Sequence, residues 1–244
     1  MNGPESPSPH GSPISFAHRG ARAVRRENTL EAFRHALELG ATGLESDVWI
    51  TSDGQVVLDH DGITGPPWNR RPVSGQRREA LPSHIPTLEE LYACCGTAFE
   101  LSLDVKDPAS LAETLRVSRS FEAAGRLWLC EADVKRLAAW AERAPDVRLV
   151  NSTHLADIPE GFQARLAELR ALGVSAVNLH GSEWTLERVE QAHEAGVAAF
   201  GWDAQSDYHI QRLVRMGIDG IYSDHVDRLV QGIADAKGSE AAES

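Results

Sequence analysis

No stretch of this chain approaches the roughly 18 consecutive apolar residues that a bilayer-spanning helix needs. Nor does the start read as a secretory signal: Met1 to Pro13 is rich in Pro, Ser and Gly and lacks a basic beginning and an apolar centre, so residues 1–13 are expected to be a disordered tail. Positive charge is in deficit as well. Against 36 acidic residues stand 24 basic ones, a formal charge of −12, and no basic stripe is present to neutralise nucleic-acid phosphates. Cysteine is scarce, and Cys94, Cys95 and Cys130 form an odd set with two members adjacent, unlike an extracellular disulfide framework. They read as small buried thiols. These absences predict a cytoplasmic protein with no nucleic-acid partner and no stable membrane insertion, and they say nothing of oligomeric state.

What is there is ordinary globular material, 42% hydrophobic and 25% charged over 244 residues, a length that suits one α/β barrel of roughly 250 residues. The hydrophobic pattern alternates between two periods. Ile14 to Ala17 is a short apolar run followed by His18-Arg19-Gly20, and Leu30, Phe33, Ala36 and Leu37 then repeat at helical spacing after a capping Asn28 or Thr29. Gly43 to Val48 is the second strand. A turn at Thr51-Ser52-Asp53-Gly54 leads straight into Val56 to His60, too short a link for a parallel crossover, so this arm must fold back as a hairpin. Counting outward from the turn sets His60 opposite Ser46, beside Glu45 and Asp47. Residues 62–86 carry Gly and Pro clusters without sustained periodicity, which predicts a short inserted loop or small cap over the site. Thr87 with Glu90 then predicts a capped helix start.

From Phe99 onward strands and helices alternate. Counting without the hairpin's return arm, parallel strands begin at Ile14, Gly43, Phe99, Leu127, Val147, Ser175, Val197 and Asp219, and a last helix near Val226 to Ala234 precedes a polar tail at 235–244. Eight such units close a TIM-like (β/α)8 barrel over residues 14–234. An open doubly wound sheet is the other arrangement, but the glycine-rich dinucleotide fingerprint is missing after the first strand.

In such barrels the active site gathers at the carboxyl ends of the strands. Here those ends carry His18, Arg19, Glu45, Asp47, Asp104, Lys106, Glu131, Asn178, His180, Trp202, Asp203 and Asp224. Glu45, Asp47 and Asp104 bring like charges together, which a divalent cation would compensate; all-oxygen donors favour Mg²⁺ or Ca²⁺, with Mn²⁺ also possible. Arg19 and Lys106 supply fixed positive charge that suits a phosphate. His18 and His60 form a pair able to take and give protons near neutral pH. Trp202 either walls the pocket or packs the barrel; Asn178 and His180 either line the mouth or hydrogen-bond loops. Glu27 is placed to hold Arg19 or His18. The remaining histidines, among them His154 and His193, read as surface or loop residues.

Taken together, His18-Arg19-Gly20, Glu27-Asn28-Thr29, Glu45-x-Asp47-Val48, Asp53-Gly54, His60-Asp61, Ile85 to Glu90, Asp104-x-Lys106, Trp202, Gly217 to Ile221 and Ser223-Asp224 resemble the glycerophosphodiester phosphodiesterase family over about Ile14 to Val230. The resemblance implies a TIM-like barrel and metal-dependent hydrolysis of small-molecule glycerophosphodiesters to glycerol 3-phosphate and an alcohol. It further implies Glu45, Asp47 and Asp104 as metal ligands, His18 and His60 as the acid and base, and Arg19, Lys106, Trp202 and Glu27 on the substrate side. The chain departs from the family pattern at Asp104, where Glu is usual, at Ser46, and in Asp203-Ala204-Gln205 after Trp202. Two other readings stay open: phospholipase D-like cleavage of lysophospholipids, and a non-catalytic barrel that binds a phosphorylated metabolite.

Overall fold

The computed structural model describes residues 11–243. The expected N-terminal tail lies, up to His10, outside the described residues. In chain order the elements are β1 (Ile14–His18), α1 (Leu30–Glu38), β2 (Gly43–Ile50), β3 (Val56–Leu58), β4 (Ile63–Thr64), β5 (Arg71–Pro72), α2 (Leu88–Cys95), β6 (Glu100–Val105), α3 (Leu111–Ser120) and β7 (Leu127–Glu131). They continue with α4 (Val134–Arg143), β8 (Arg148–Ser152), α5 (Phe162–Leu172), β9 (Ala176–His180), α6 (Leu186–Glu194), β10 (Ala198–Trp202), α7 (Asp207–Arg215), β11 (Gly220–Ser223) and α8 (Val226–Glu243).

Eight parallel strands close on themselves in the order β1-β2-β6-β7-β8-β9-β10-β11, with β11 returning to β1. This is the TIM-like barrel expected. The hairpin is there too: β3 runs antiparallel to β2 with Val48 opposite Leu58 and Ile50 opposite Val56. It occupies the edge of β2 beyond the point where β1 ends, since His18, the last residue of β1, is already paired with Glu45.

Residues alternate between two apolar layers because strand side chains repeat every two positions. One set, including Ala17, Leu44, Leu103, Leu129, Val177 and Ala199, packs against the helices. The other fills the barrel: Phe16, Trp128, Cys130, Val150, Ala176, Phe200 and Tyr222. Phe16 stacks on Tyr222 at 4.5 Å and meets Phe200 at 5.5 Å, so the barrel is plugged below its mouth and any ligand must sit above these rings.

Helix starts follow the local chemistry. Thr29 caps α1 by accepting from the Ala32 amide, and Thr87 and Glu90 form a reciprocal capping box at α2. Three expectations need correction. The segment 62–86 is a small folded unit, a β4–β5 ribbon with 3-10 turns whose Val73, Leu81 and Ile85 pack with Val57 against Trp49. It braces β3 from the side and contributes no residue to the cavity lining, so it does not roof the site. The polar C-terminal segment continues α8 to Glu243, where the sequence ended the helix near Ala234. And of the cysteines only Cys130 is buried; Cys94 is exposed on α2.

Candidate active site

A cavity of about 400 Å³ opens at the carboxyl ends of the strands, lined by His18, Arg19, Glu45, Asp47, His60, Asp104, Lys106, Ser152, Asn178, Trp202, Asp203 and Tyr222. Every expected ligand, proton-transfer and phosphate-binding residue is therefore brought to one place. The strand period explains it: Glu45, Asp47 and Asp104 continue inward-facing rows, and β2 and β6 run in register with Asp47 opposite Asp104.

Glu45, Asp47 and Asp104 each offer a carboxylate oxygen within 4.8 Å of the others. Glu45 is only 5% exposed; burial, with the charges of Asp47 and Asp104, outweighs His18 and the Arg19 amide and pushes its carboxyl up to about 8. Asp47 is pushed up by burial and by Asp104, against Lys106, Arg19 and His60. Its Oδ2 is buried without a hydrogen-bond partner. Three oxygen donors at ligand spacing, two of them buried with their carboxyls pushed up and one with an orphaned oxygen, are a donor set into which a hard divalent cation fits.

Arg19 is held by its backbone as much as by its side chain. It has φ +55, a left-handed conformation uncommon outside glycine, followed by Gly20 at φ +78. This turn aims the Arg19 amide at Glu45 Oε2, 2.9 Å away. Gly20 has no alternative, since a Cβ there would lie 2.7 Å from the Ala32 carbonyl carbon. The guanidinium reaches Glu27 at 3.2 Å and Asp47 at 3.7 Å. Glu27 also holds Arg22 at 3.1 Å and stands behind the arginines, not on the cavity wall. Ser46 turns outward, where its hydroxyl donates to Asn28 Oδ1 at 2.7 Å and ties down the loop that carries Glu27. Lys106 bridges Asp47 and Asp104, 3.1 Å from each; burial works against its charge, but the two carboxylates outweigh it and raise its pKa.

His18 is the less exposed of the two imidazoles. Its Nδ1 lies 2.7 Å from Asp224 Oδ1, and its Nε2 faces Glu45 at 3.8 Å. Asp224 stays below the usual carboxylate range: burial would raise it, but the hydrogen bond and charge of His18 and the charge of Arg22 prevail. It thus accepts from Nδ1–H and leaves Nε2 toward the cavity. Burial pulls the His18 pKa down, yet Glu45 and Asp224 together raise it. Gln205 supports this arrangement, accepting from the Asp224 amide at 3.0 Å and donating to Asp203 at 2.9 Å. His60 is delivered by the hairpin, with the Asp59 amide bonded to the Asp47 carbonyl at 3.1 Å and its own Nδ1 2.8 Å from Asp61.

Trp202 stands at the rim between the edges of His154 and His180, at 5.2 and 4.9 Å. Glu131 turns away to the start of α4, where it meets Arg136 and the Asp133 amide. Ser152 and Tyr222 line the cavity although the sequence did not single them out. Both sit one inward step along their strands from core residues Val150 and Gly220, so the two-residue period was the available signal.

The glycerophosphoryl diester phosphodiesterase family model matches residues 18–91 and 67–228. A glycerophosphodiester phosphodiesterase of Caldanaerobacter subterraneus is 26% identical over 242 residues, covering 89% of this chain and 96% of that protein. A crystal structure of a putative glycerophosphoryl diester phosphodiesterase from Silicibacter pomeroyi superposes with a TM-score of 0.82 at 24% identity, over 93% of this chain and 95% of that one. An Oleispira antarctica phosphodiesterase, in complex with the product sn-glycerol-3-phosphate, shares the fold with a TM-score of 0.76 at 21% identity, over 91% and 97% of the two chains. With the family match running through both halves of the barrel and across every acidic, basic and imidazole group of the cavity, this chain belongs to the glycerophosphoryl diester phosphodiesterase family and is an enzyme of phosphodiester hydrolysis.

Proposed function

We propose that this enzyme cleaves glycerophosphodiesters to glycerol 3-phosphate and an alcohol, with a divalent ion held by Glu45, Asp47 and Asp104 and with proton transfer shared by His18 and His60. The observation that carries this reading is the meeting of three carboxylates within 4.8 Å in a cavity that also holds both histidines, Arg19 and Lys106. When bound, Mg²⁺ or Ca²⁺, or Mn²⁺ in their place, supplies Lewis-acid stabilisation of charge on the phosphate oxygens.

The rest of the chemistry falls to side chains. Arg19 presents a planar fork to phosphate oxygens and Lys106 a point charge. The phosphate is held between β1, β2 and β6, and Trp202 and Asp203 border the mouth on the far side. Cleavage forms a bond from an oxygen nucleophile to phosphorus and breaks the bond to the departing alcohol oxygen. One imidazole takes the proton from the nucleophile, and the other gives one to the alkoxide. Asp224 fixes the His18 ring with Nε2 toward the substrate. The glycerol 2-hydroxyl serves as the nucleophile, giving a cyclic phosphate that water opens in a second step with the proton roles reversed.

Release of glycerol 3-phosphate from glycerophosphocholine is expected to stop on chelation with EDTA and return with added divalent ion. It is expected to fall by about 10²–10⁴-fold in His18→Ala and in His60→Ala. Release that survives chelation, or that persists in either variant, overturns the reading. Faster cleavage of lysophosphatidylcholine than of glycerophosphocholine would point instead to a lipid substrate.

A further inference from the structure

On the wall across from the carboxylates one buried amide is left half used. Asn178, on β9, is 5% exposed and lines the cavity. Its Nδ2 donates to Ser152 Oγ on the neighbouring strand at 3.2 Å, and the two residues are direct partners in the β8–β9 ladder. Its Oδ1 is buried with no hydrogen-bond partner. Interior amides are normally satisfied on both sides, and an orphan acceptor in a ligand cavity marks a place where a ligand supplies the missing donor.

We infer that Asn178, braced by Ser152, is a specificity residue that hydrogen-bonds the terminal (C1) hydroxyl of the substrate's glycerol arm. The inference rests on the glycerophosphodiester reading above. The choice of a hydroxyl follows from the amide. Exchanging its oxygen and nitrogen would leave a donor orphaned in place of an acceptor, and a hydroxyl alone satisfies either, since it both gives and accepts. A cation would serve only one orientation and an anion only the other. The choice of the glycerol arm follows from depth. The phosphate is fixed by Arg19 and Lys106, and the barrel is plugged below by Phe16, Phe200 and Tyr222. Asn178 is buried, whereas Trp202 and Asp203 stand at the more open rim. The three-carbon polyol common to all these substrates fits the closed end and the variable alcohol the open one.

The test compares glycerophosphocholine with its 1-deoxy analogue, which keeps the 2-hydroxyl and so keeps the nucleophile. The wild-type enzyme is expected to favour the full substrate by about ten- to a hundredfold in kcat/KM, because the analogue leaves one buried polar group unpaired. In Asn178→Ala that ratio is expected to collapse to within about threefold of one, and in Ser152→Ala, which removes only the brace, to fall by about threefold or more. A purely structural role for Asn178 would lower activity on both diesters and leave the ratio alone. An unchanged ratio in Asn178→Ala, or in Ser152→Ala should the first variant not fold, overturns the inference, as does a wild-type enzyme that ignores the 1-hydroxyl. Failure of the wild type to cleave either diester counts instead against the glycerophosphodiester reading.

Discussion

At the scale of single residues, the site depends on holding groups in conformations and charge states they would not choose alone. Arg19 in the left-handed region, next to a glycine with no room for a Cβ, is a backbone cost accepted to point one amide at Glu45. Asp224 performs the matching task for His18. Its carboxylate can only accept, so it fixes the proton on Nδ1 and frees Nε2. In Asp224→Asn the new amide can present N–H to Nδ1, which drives the imidazole proton to Nε2 and turns the nitrogen proposed to act on the substrate into a donor. We expect kcat to fall by about a hundredfold or more while the unfolding midpoint barely moves, since Asp224 is only partly buried. Steady-state rates alongside a thermal melt would check it, and a variant with near wild-type kcat would remove Asp224 from the machinery.

At the scale of elements, the hairpin is the device that sets this barrel apart from a plain repeat of strand and helix. Its return arm was legible in the sequence because Asp53-Gly54 leaves too few residues for a crossover, and the register count put His60 beside Glu45 and Asp47, whose shared cavity it does line. The capped starts of α1 and α2 and all eight barrel strands were readable from local signals in the same way. The insertion was not. Its hydrophobic residues, Val73, Leu81 and Ile85, are spaced by a tertiary contact with Val57 and Trp49 and not by any helix or strand period. Ser152 escaped notice for a related reason: Asn151-Ser152 carries no apolar side chain to mark a strand, while in the barrel neighbouring strands continue the ladder. Gly62 couples the insertion to the hairpin. It has φ +63, and a Cβ there would come within 2.3 Å of the Trp49 ring. Gly62→Ala must therefore push Trp49 aside or open the turn that follows His60. The expected outcome is a local loss of about 1–3 kcal/mol, seen as faster proteolysis within 62–86 and lower kcat/KM; unaltered protease resistance would show that the segment absorbs the change.

At the scale of the whole molecule, barrel closure joins the first strand to the last, because β11 must pair with β1 for Asp224 to reach His18. That closing strand is secured at its opposite end by His193, which reads in the sequence as a surface or loop residue but sits on α6 against Asp219. The imidazole, on α6, lies 2.8 Å from Asp219, which is 7% exposed and also accepts from the Ala199 amide at 2.8 Å. The hydrogen bond and charge of Asp219 outweigh partial burial and raise the His193 pKa above its ordinary value. A raised folded-state pKa means that the folded protein binds the proton more tightly than the unfolded chain. The stabilisation is then fully present below the unfolded value of about 6.5 and is lost as pH rises through the folded value. Urea unfolding of the wild type and of His193→Gln should therefore differ by about 1.5–3 kcal/mol at pH 5.5, the range for a charge-assisted hydrogen bond, and by clearly less at pH 9. A gap that is equal at both pH values, or that widens with pH, would mean that the imidazole contributes by packing alone and that the closing strand is not anchored by charge.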